Sequence, residues 1–274
     1  MIDGVMPVTG TTRCFPLIGH PVAQVRTPPL INGWFSAHGI DATMFGMDIL
    51  PEATEDFFKV LRAWSNCGGC SVTVPHKQAA FRSMDQLTDR ARHAAAVNIV
   101  RRMNDGRLIG DMTDGLAFVT ALRNRGTPLA GARVLLAGGG GGAGLAIALA
   151  LADSSIQEIC LVEPDPVRHA RAVALLSDIN PHTILTGAPM ESGFDLAVNA
   201  SPMGMRQDDP LPFEPELVRA GGTVADVITK PAMTPLLTKA AASGFLIQDG
   251  NAMADAQIPF QMQHLGLFQD EWAA

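Results

Sequence analysis

Residues 134–152 read VLLAGGGGGAGLAIALALA, nineteen positions without a charge. A run of that length is long enough to span a bilayer. Its middle argues against a single helix: five consecutive glycines, Gly138 to Gly142, each cost ~1 kcal/mol relative to alanine in a helix interior. The glycines instead divide the stretch in three. Arg133 to Ala137 is a short apolar segment suited to a buried parallel strand. Residues 143–152 are strong helix formers and stop at Asp153-Ser154-Ser155. A second apolar strand, Glu158 to Val162, follows and ends in Glu163-Pro164-Asp165, where a polar helix opens. Strand, glycine turn, helix and strand are the parts of a dinucleotide-binding βαβ unit. Gly138 permits the tight turn, Gly140 lets the backbone approach a pyrophosphate, and Ala143 is the small residue that packs helix on strand. Gly141 and Gly142 complete the loop and lead into a helix N-terminus whose free N–H groups suit phosphate.

Glu163 lies 25 positions after Gly138, where a carboxylate would accept hydrogen bonds from ribose hydroxyls. With Asp165 it would face a 2′-phosphate as a like charge. Arg168 is the nearest cation and reads as a solvated helix residue. The expectation is therefore NAD in preference to NADP. A glycine-rich turn in an ordinary α/β protein is the plainer alternative.

The chain carries 20 Lys and Arg against 27 Asp and Glu, a net charge of −7. That balance repels phosphate backbones, and no nucleic-acid partner is expected. The first residues show no basic segment leading into an apolar core, so a cytoplasmic protein with no membrane association is expected. Cys67 and Cys70 with nearby His76 make a metal cluster conceivable, but no second CxxC supports it. Reduced thiols and no metal are the expectation.

The rest of the chain alternates strands and helices. Strands are expected at 14–18, 42–48, 71–74, 97–103, 107–109, 195–199, 223–226 and 246–248. Helices are expected at 28–38, 51–64, 78–84, 87–96, 116–123, 234–243 and 251–265. Asn104-Asp105-Gly106 marks a hairpin. The fold class is α/β with two domains. One is a Rossmann dinucleotide-binding domain with a parallel sheet over residues 114–249. The other is an α/β substrate domain, residues 1–113, completed by the C-terminal helix within 250–274.

A nicotinamide enzyme acting on an alcohol must move a proton as well as a hydride. The chain contains no tyrosine, which rules out a tyrosine base. Two loops stand out: TVPHK puts Lys77 just past a strand end, and GDMTDG puts Asp114 at the domain junction. Each alone reads as a surface lysine or a turn. Together with GHPVAQVRTPPLIN, AAVNIV, LLAGGGGGAG, FDLAVNASPMGM and GNAMADAQ, in this order, they resemble the shikimate dehydrogenase family nearly end to end. The resemblance implies that Lys77 and Asp114 are the catalytic pair. A lysine ammonium, charged at neutral pH, can give a proton to a carbonyl oxygen and take it back in oxidation. Asp114 would hold the ammonium and orient the substrate hydroxyl. Thr73, Asn98 and Gln257 would bind ring hydroxyls, and Asn199 would lie at the cofactor.

The departures from the family pattern bear on the substrate. Val25 stands where a serine usually contacts the substrate carboxylate, while Thr27 keeps the second hydroxyl. Ser71 replaces an asparagine, Met112 another, and Thr229 a tyrosine. Arg26 reads as a solvated loop charge, with an anion contact as the alternative. Losing donors to a buried anion costs roughly 1–3 kcal/mol each. The expected activity is hydride transfer between a nicotinamide cofactor and a shikimate-like or quinate-like hydroxy acid, by a monomer or homodimer. A dehydrogenase for a different cyclic polyol and a non-catalytic dinucleotide-binding regulator are the alternatives.

Overall fold

Short apolar segments bounded by glycine, proline and polar residues become strands, and the amphipathic stretches between them become helices. A computed structural model describes residues 8–180, 182–186 and 192–268. Residues 1–7, part of the segment read for a leader, lie outside the described residues. The chain divides into two units, Met1–Thr113 with Ile258–Ala274, and Asp114–Gln257.

The first unit contains β1 (Arg13–Gly19), α1 (Thr27–Ala37), β2 (Ala42–Asp48), α2 (Thr54–Ala63), β3 (Gly69–Val72), α3 (Lys77–Ser83), β4 (Gln86–Leu87), α4 (Asp89–Ala94), β5 (Ile99–Arg102) and β6 (Leu108–Asp111). Its sheet runs β2-β1-β3-β5-β6-β4. The β1–β2, β1–β3 and β4–β6 pairs are parallel, and β3–β5 and β5–β6 are antiparallel. Phe15, Leu17, Ile31, Phe35, Met44 and Ile99 form its core with Met262 and Leu265.

The second unit contains α5 (Asp114–Asn124), β7 (Arg133–Ala137), α6 (Gly142–Ala152), β8 (Glu158–Val162), α7 (Pro166–Ile179), β9 (Ile184–Thr186), β10 (Phe194–Asn199), β11 (Val218–Asp226), α8 (Pro235–Ala242), β12 (Leu246–Gln248) and the first half of α9 (Gly250–His264). Its sheet is parallel throughout, in the order β12-β11-β10-β7-β8-β9. Strand order reverses between β7 and β10, the switch point at which such sheets bind ligands beyond their C-terminal ends. Register brings those ends level: Ala137 pairs with Val162 and with Asn199, and Asn199 pairs with Asp226.

The long apolar stretch is thus a strand, a turn and a helix. At 11 residues α6 is ~16 Å long. Among the described residues no helix is long and apolar enough to cross a membrane. α6 is buried because it packs on α5 as well as on the sheet. Gly115 permits that contact: a Cβ there would lie 2.1 Å from the Ala146 carbonyl oxygen.

Candidate functional site

In the second unit the glycine turn joins β7 to α6. Gly138 takes φ +78, and a Cβ there would meet the Ser201 nitrogen at 2.7 Å. A Cβ on Gly140 would meet Glu163 and Arg168 at 2.8 Å, whereas Gly141 meets only the Gly138 carbonyl oxygen, at 3.6 Å. Gly141 is the N-cap of α6 and supplies no side-chain cap. In the same unit α7 and α8 are capped by Asp165 and Thr234, whereas α1, α2 and α3 of the first unit, like α6, have no side-chain cap. The first amides of α6 therefore meet no capping side chain, as a pyrophosphate site requires. Ala143 is only half-buried, whereas Gly144 is buried. A Cβ on Gly144 would lie 2.1 Å from the Gly138 carbonyl oxygen. The closest approach of helix and turn therefore falls one residue beyond the fingerprint position. Only the continued run of small residues hinted at it.

At the end of β8 both acids are committed to backbone amides, Glu163 buried and Asp165 partly exposed. The Gly140 N–H donates to Glu163 Oε2 and the Asp165 N–H to Glu163 Oε1, both at 3.1 Å. Asp165 accepts from the Val167 and Arg168 amides and caps α7. Arg168 stands 3.3 Å from Glu163 and 3.5 Å from Asp165, with its side chain 53% exposed against 3% for Glu163.

Asp114 opens α5, is 2% exposed, and accepts from Gln257 Nε2 at 2.6 Å through Oδ1. Thr229 is half-buried beyond β11. Asn199 is fully buried, and its amide donates to the Met203 carbonyl and to Asp226 and accepts from Ser201.

In the first unit, Thr73 follows β3 and donates its N–H to the Ile18 carbonyl. Gly19 leaves room for it, since a Cβ there would lie 2.4 Å from Thr73 Cγ2. Lys77 opens α3 half-buried, and its carbonyl accepts from the Val97 N–H. Asn98 and Thr113 are buried together: Asn98 Nδ2 donates to Thr113 Oγ1 at 3.0 Å, and the Thr113 N–H donates to Asn98 Oδ1 at 2.9 Å. Ser71 is buried and donates to Gln261 Oε1. Val25 packs half-buried on the apolar core, and Thr27 is the first residue of α1. Asp111, just ahead of Thr113, is held by Arg90, Thr88 and the Met112 N–H. Burial pushes its carboxyl up, but the bonds from Arg90 and Thr88 prevail and hold it below the ordinary range.

His76 is buried with its ring nitrogens on Thr54 and the Ile49 carbonyl. Burial pushes the Cys67 thiol up to about 11 and that of Cys70 well above its ordinary value. Among the described residues no cluster of three or more His, Cys, Asp or Glu could hold a metal ion.

A parallel sheet with a switch point, a glycine turn and an uncapped helix beyond it defines a dinucleotide-binding protein of the Rossmann class. Residues 17–100 match the shikimate dehydrogenase substrate binding domain. The shikimate dehydrogenase (NADP(+)) of Rhodospirillum rubrum is 37% identical, over 90% of this chain and 89% of its own. The solved shikimate 5-dehydrogenase of Thermus thermophilus, in complex with NADP(H) and shikimate, superposes with a TM-score of 0.80 at 30% identity, covering 94% of this chain and 95% of that one. Ligand-free 5-ketofructose reductase of Gluconobacter sp. strain CHM43 does so with a TM-score of 0.80 at 28% identity, covering 92% of each chain. The chain belongs to the shikimate dehydrogenase family. It is an oxidoreductase of the nicotinamide-linked class that acts on a CH–OH group.

The expectation of NAD ahead of NADP is corrected by these relatives. The R. rubrum enzyme and others at 33–37% identity carry NADP(+) in their names. The structure supplies a physical reason. The repulsion assigned to Glu163 and Asp165 took both carboxylates as uncompensated charges. Both are engaged with backbone amides, and Arg168, dismissed as a surface charge, sits against both with half its side chain in solvent.

Proposed function

We propose that this protein interconverts a cyclic hydroxy acid of the shikimate or quinate kind with its keto form, using NADP. The carrying observation is the 37% identity to a shikimate dehydrogenase across nine-tenths of the chain, and the resemblance of TVPHK and GDMTDG to the family's motifs supports Lys77 and Asp114 as its catalytic pair. The chemistry that NADP would supply when bound is hydride transfer. Lys77 takes the hydroxyl proton in oxidation and returns it to the carbonyl oxygen in reduction. Asp114, its Oδ1 fixed by Gln257, orients the substrate hydroxyl. Thr73 and Asn98 hold ring hydroxyls, and Ser71, Thr27, Val25 and Thr229 bound the substrate. Residues 1–113 with the second half of α9 serve as the substrate domain, the boundary falling inside that helix rather than ahead of it at 250. The second unit holds the cofactor on Gly138, Gly140, Gly141, Gly142 and Ala143, with Glu163, Asp165 and Arg168 at the adenine ribose. The protein acts as a monomer or homodimer in the cytoplasm, with no nucleic-acid partner.

One observation favours a second reading. Val25 offers no donor and packs on the apolar core, which suits a neutral polyhydroxy ketone, and a 5-ketofructose reductase is among the similar structures. Steady-state assays with NADP(H) on shikimate, quinate and a neutral diketose separate the two. Turnover of a hydroxy acid with the highest kcat/KM supports the first reading. Turnover of the ketose alone selects the second, and activity on none of them refutes both.

Arg168 gives a separate prediction for the cofactor. Arg168→Ala removes the cation facing a 2′-phosphate and leaves Glu163 and Asp165 uncompensated. Exposed charge pairs are weak, but a charge-assisted contact to a phosphate is stronger. The expected result is an NADPH Kd raised about tenfold with NADH binding unchanged or improved. Equal weakening of both by calorimetry would remove Arg168 from this role.

A further inference from the structure

The C-terminal ends of β10 and β11 carry a buried carboxylate that the proposed reaction does not use. Asp226 ends β11 opposite Asn199 and is 1% exposed. Its Oδ2 accepts from Asn199 Nδ2 at 3.1 Å and from Thr234 Oγ1 at 2.9 Å, and its Oδ1 accepts from the Ile228 N–H at 3.0 Å. These are neutral donors. Burial pushes the Asp226 carboxyl above its ordinary range, against the bonds from Ile228, Asn199 and Thr234.

The partners extend the reach of this carboxylate. Asn199 Nδ2 also donates to the Met203 carbonyl at 2.8 Å, and its Oδ1 accepts from the Ser201 N–H at 3.0 Å and Oγ at 2.6 Å. Two donors and two acceptor sites are the full capacity of an amide side chain, so the Asn199 side chain has nothing left for a ligand, and the cofactor contact expected of it becomes a supporting role. Thr234, fully buried, accepts from the Leu237 N–H and caps α8. One acid therefore ties the exit of β10, the exit of β11 and the start of α8. Gly204, at φ +103, keeps the β10 exit close to Thr234 and Ile228, whose side chains lie 3.5–3.7 Å from where its Cβ would be. Met203, Met205 and Met233 stand exposed on these exits.

Position assigns the purpose. The glycine turn after β7 and the Glu163–Arg168 group after β8 lie on one side of the strand-order reversal. A dinucleotide bound across that reversal lays its other half over the exits of β10 and β11. Ser201, on the β10 exit, abuts Gly138 itself, so a displaced exit changes the surface next to the phosphates. We infer that Asp226, through Asn199 and Thr234, is a positioning residue that fixes the two strand exits under the nicotinamide half of the cofactor. The inference rests on the dinucleotide reading above, and its test separates the two.

The comparison is between NADPH and 2′,5′-ADP, which carries the adenine half alone, each titrated calorimetrically into the full chain. In Asp226→Asn, NADPH affinity is expected to fall about tenfold, the scale of one misplaced buried hydrogen bond, with 2′,5′-ADP within twofold of wild type. Thr234→Val removes one donor and leaves the acid, so it gives a smaller loss in the same ligand-selective pattern. Thr234→Ser keeps the hydroxyl and restores NADPH binding, which a purely structural role for the methyl group would not. If Asp226→Asn does not fold, the Val and Ser pair carries the test. Parallel weakening of both ligands, or no change in either, overturns the brace. A wild-type protein that binds 2′,5′-ADP keeps the cofactor reading whatever the variants do. One that binds neither ligand ends both proposals.

Discussion

Lys77→Ala is expected to lower kcat by roughly 10²–10⁴-fold, the range that a positioned general acid–base group contributes, while NADPH affinity stays within about twofold. The substitution isolates the chemistry. Lys77 is the first residue of α3, and its structural bond to Val97 is made by the backbone carbonyl, which alanine retains. Alanine is also the best helix former. The side chain is half-buried rather than part of the core, so melting temperature should change little. Single-turnover measurements with NADPH and the preferred ketone give the hydride step, and fluorescence titration gives cofactor binding. Turnover within tenfold of wild type would remove the lysine from the reaction. A non-catalytic regulator predicts no turnover in either protein, which a wild-type assay alone distinguishes.

The parts of this protein that could be read from its sequence are those in which local chemistry and tertiary structure agree. Arg133–Ala137, Glu158–Val162, Ala42–Asp48 and Leu246–Gln248 form at the residues expected, because turn residues bound each apolar run. The two strands not anticipated, Gln86–Leu87 and Ile184–Thr186, lie at sheet edges and are too short to show a period. The expected strand at 71–74 forms at Gly69–Val72 instead. Gly68 and Gly69 look like breakers, yet Gly69 pairs across to Arg101 at φ +146, where a Cβ would lie 2.0 Å from the Val100 carbonyl oxygen. There glycine marks close backbone approach, which one strand's sequence does not reveal. The expected helix at 51–64 begins as a 3₁₀ turn, Pro51–Ala53, before α2. At the site the glycine turn was legible as a pattern of residue types. The inward commitment of Glu163, the pairing of Arg168 and the Asp226 brace were not. Each joins residues from separate loops by side-chain geometry that leaves no periodic trace.

Gly144 shows where that limit matters most, and Gly144→Ala is the second large effect expected. The added Cβ would meet the Gly138 carbonyl oxygen at 2.1 Å, with the Gly138 carbonyl carbon and Gly139 Cα at 2.9 Å. All three are backbone atoms of the turn, so no side chain can swing away; either the helix retreats or the turn deforms. Either movement changes the N–H geometry that the proposed phosphate contacts need. Overpacking of this kind costs about 1–3 kcal/mol, and for a chain of this size that is a fall in melting temperature of roughly 2–12 °C. Cofactor affinity should fall further, by about 100-fold or more, because the strain falls on the binding turn itself. Ala143→Gly is the control. Glycine keeps the residue 143 amide by which this position would hold the cofactor, and the alanine side chain is half-buried on the same turn of α6, so the change should cost only the ~0.5–1 kcal/mol of an added helix glycine and leave NADPH binding near wild type. If Gly144→Ala binds NADPH normally and melts unchanged, α6 has room that the geometry denies. If Ala143→Gly instead shows the large loss, the fingerprint position, and not its neighbour, carries the contact.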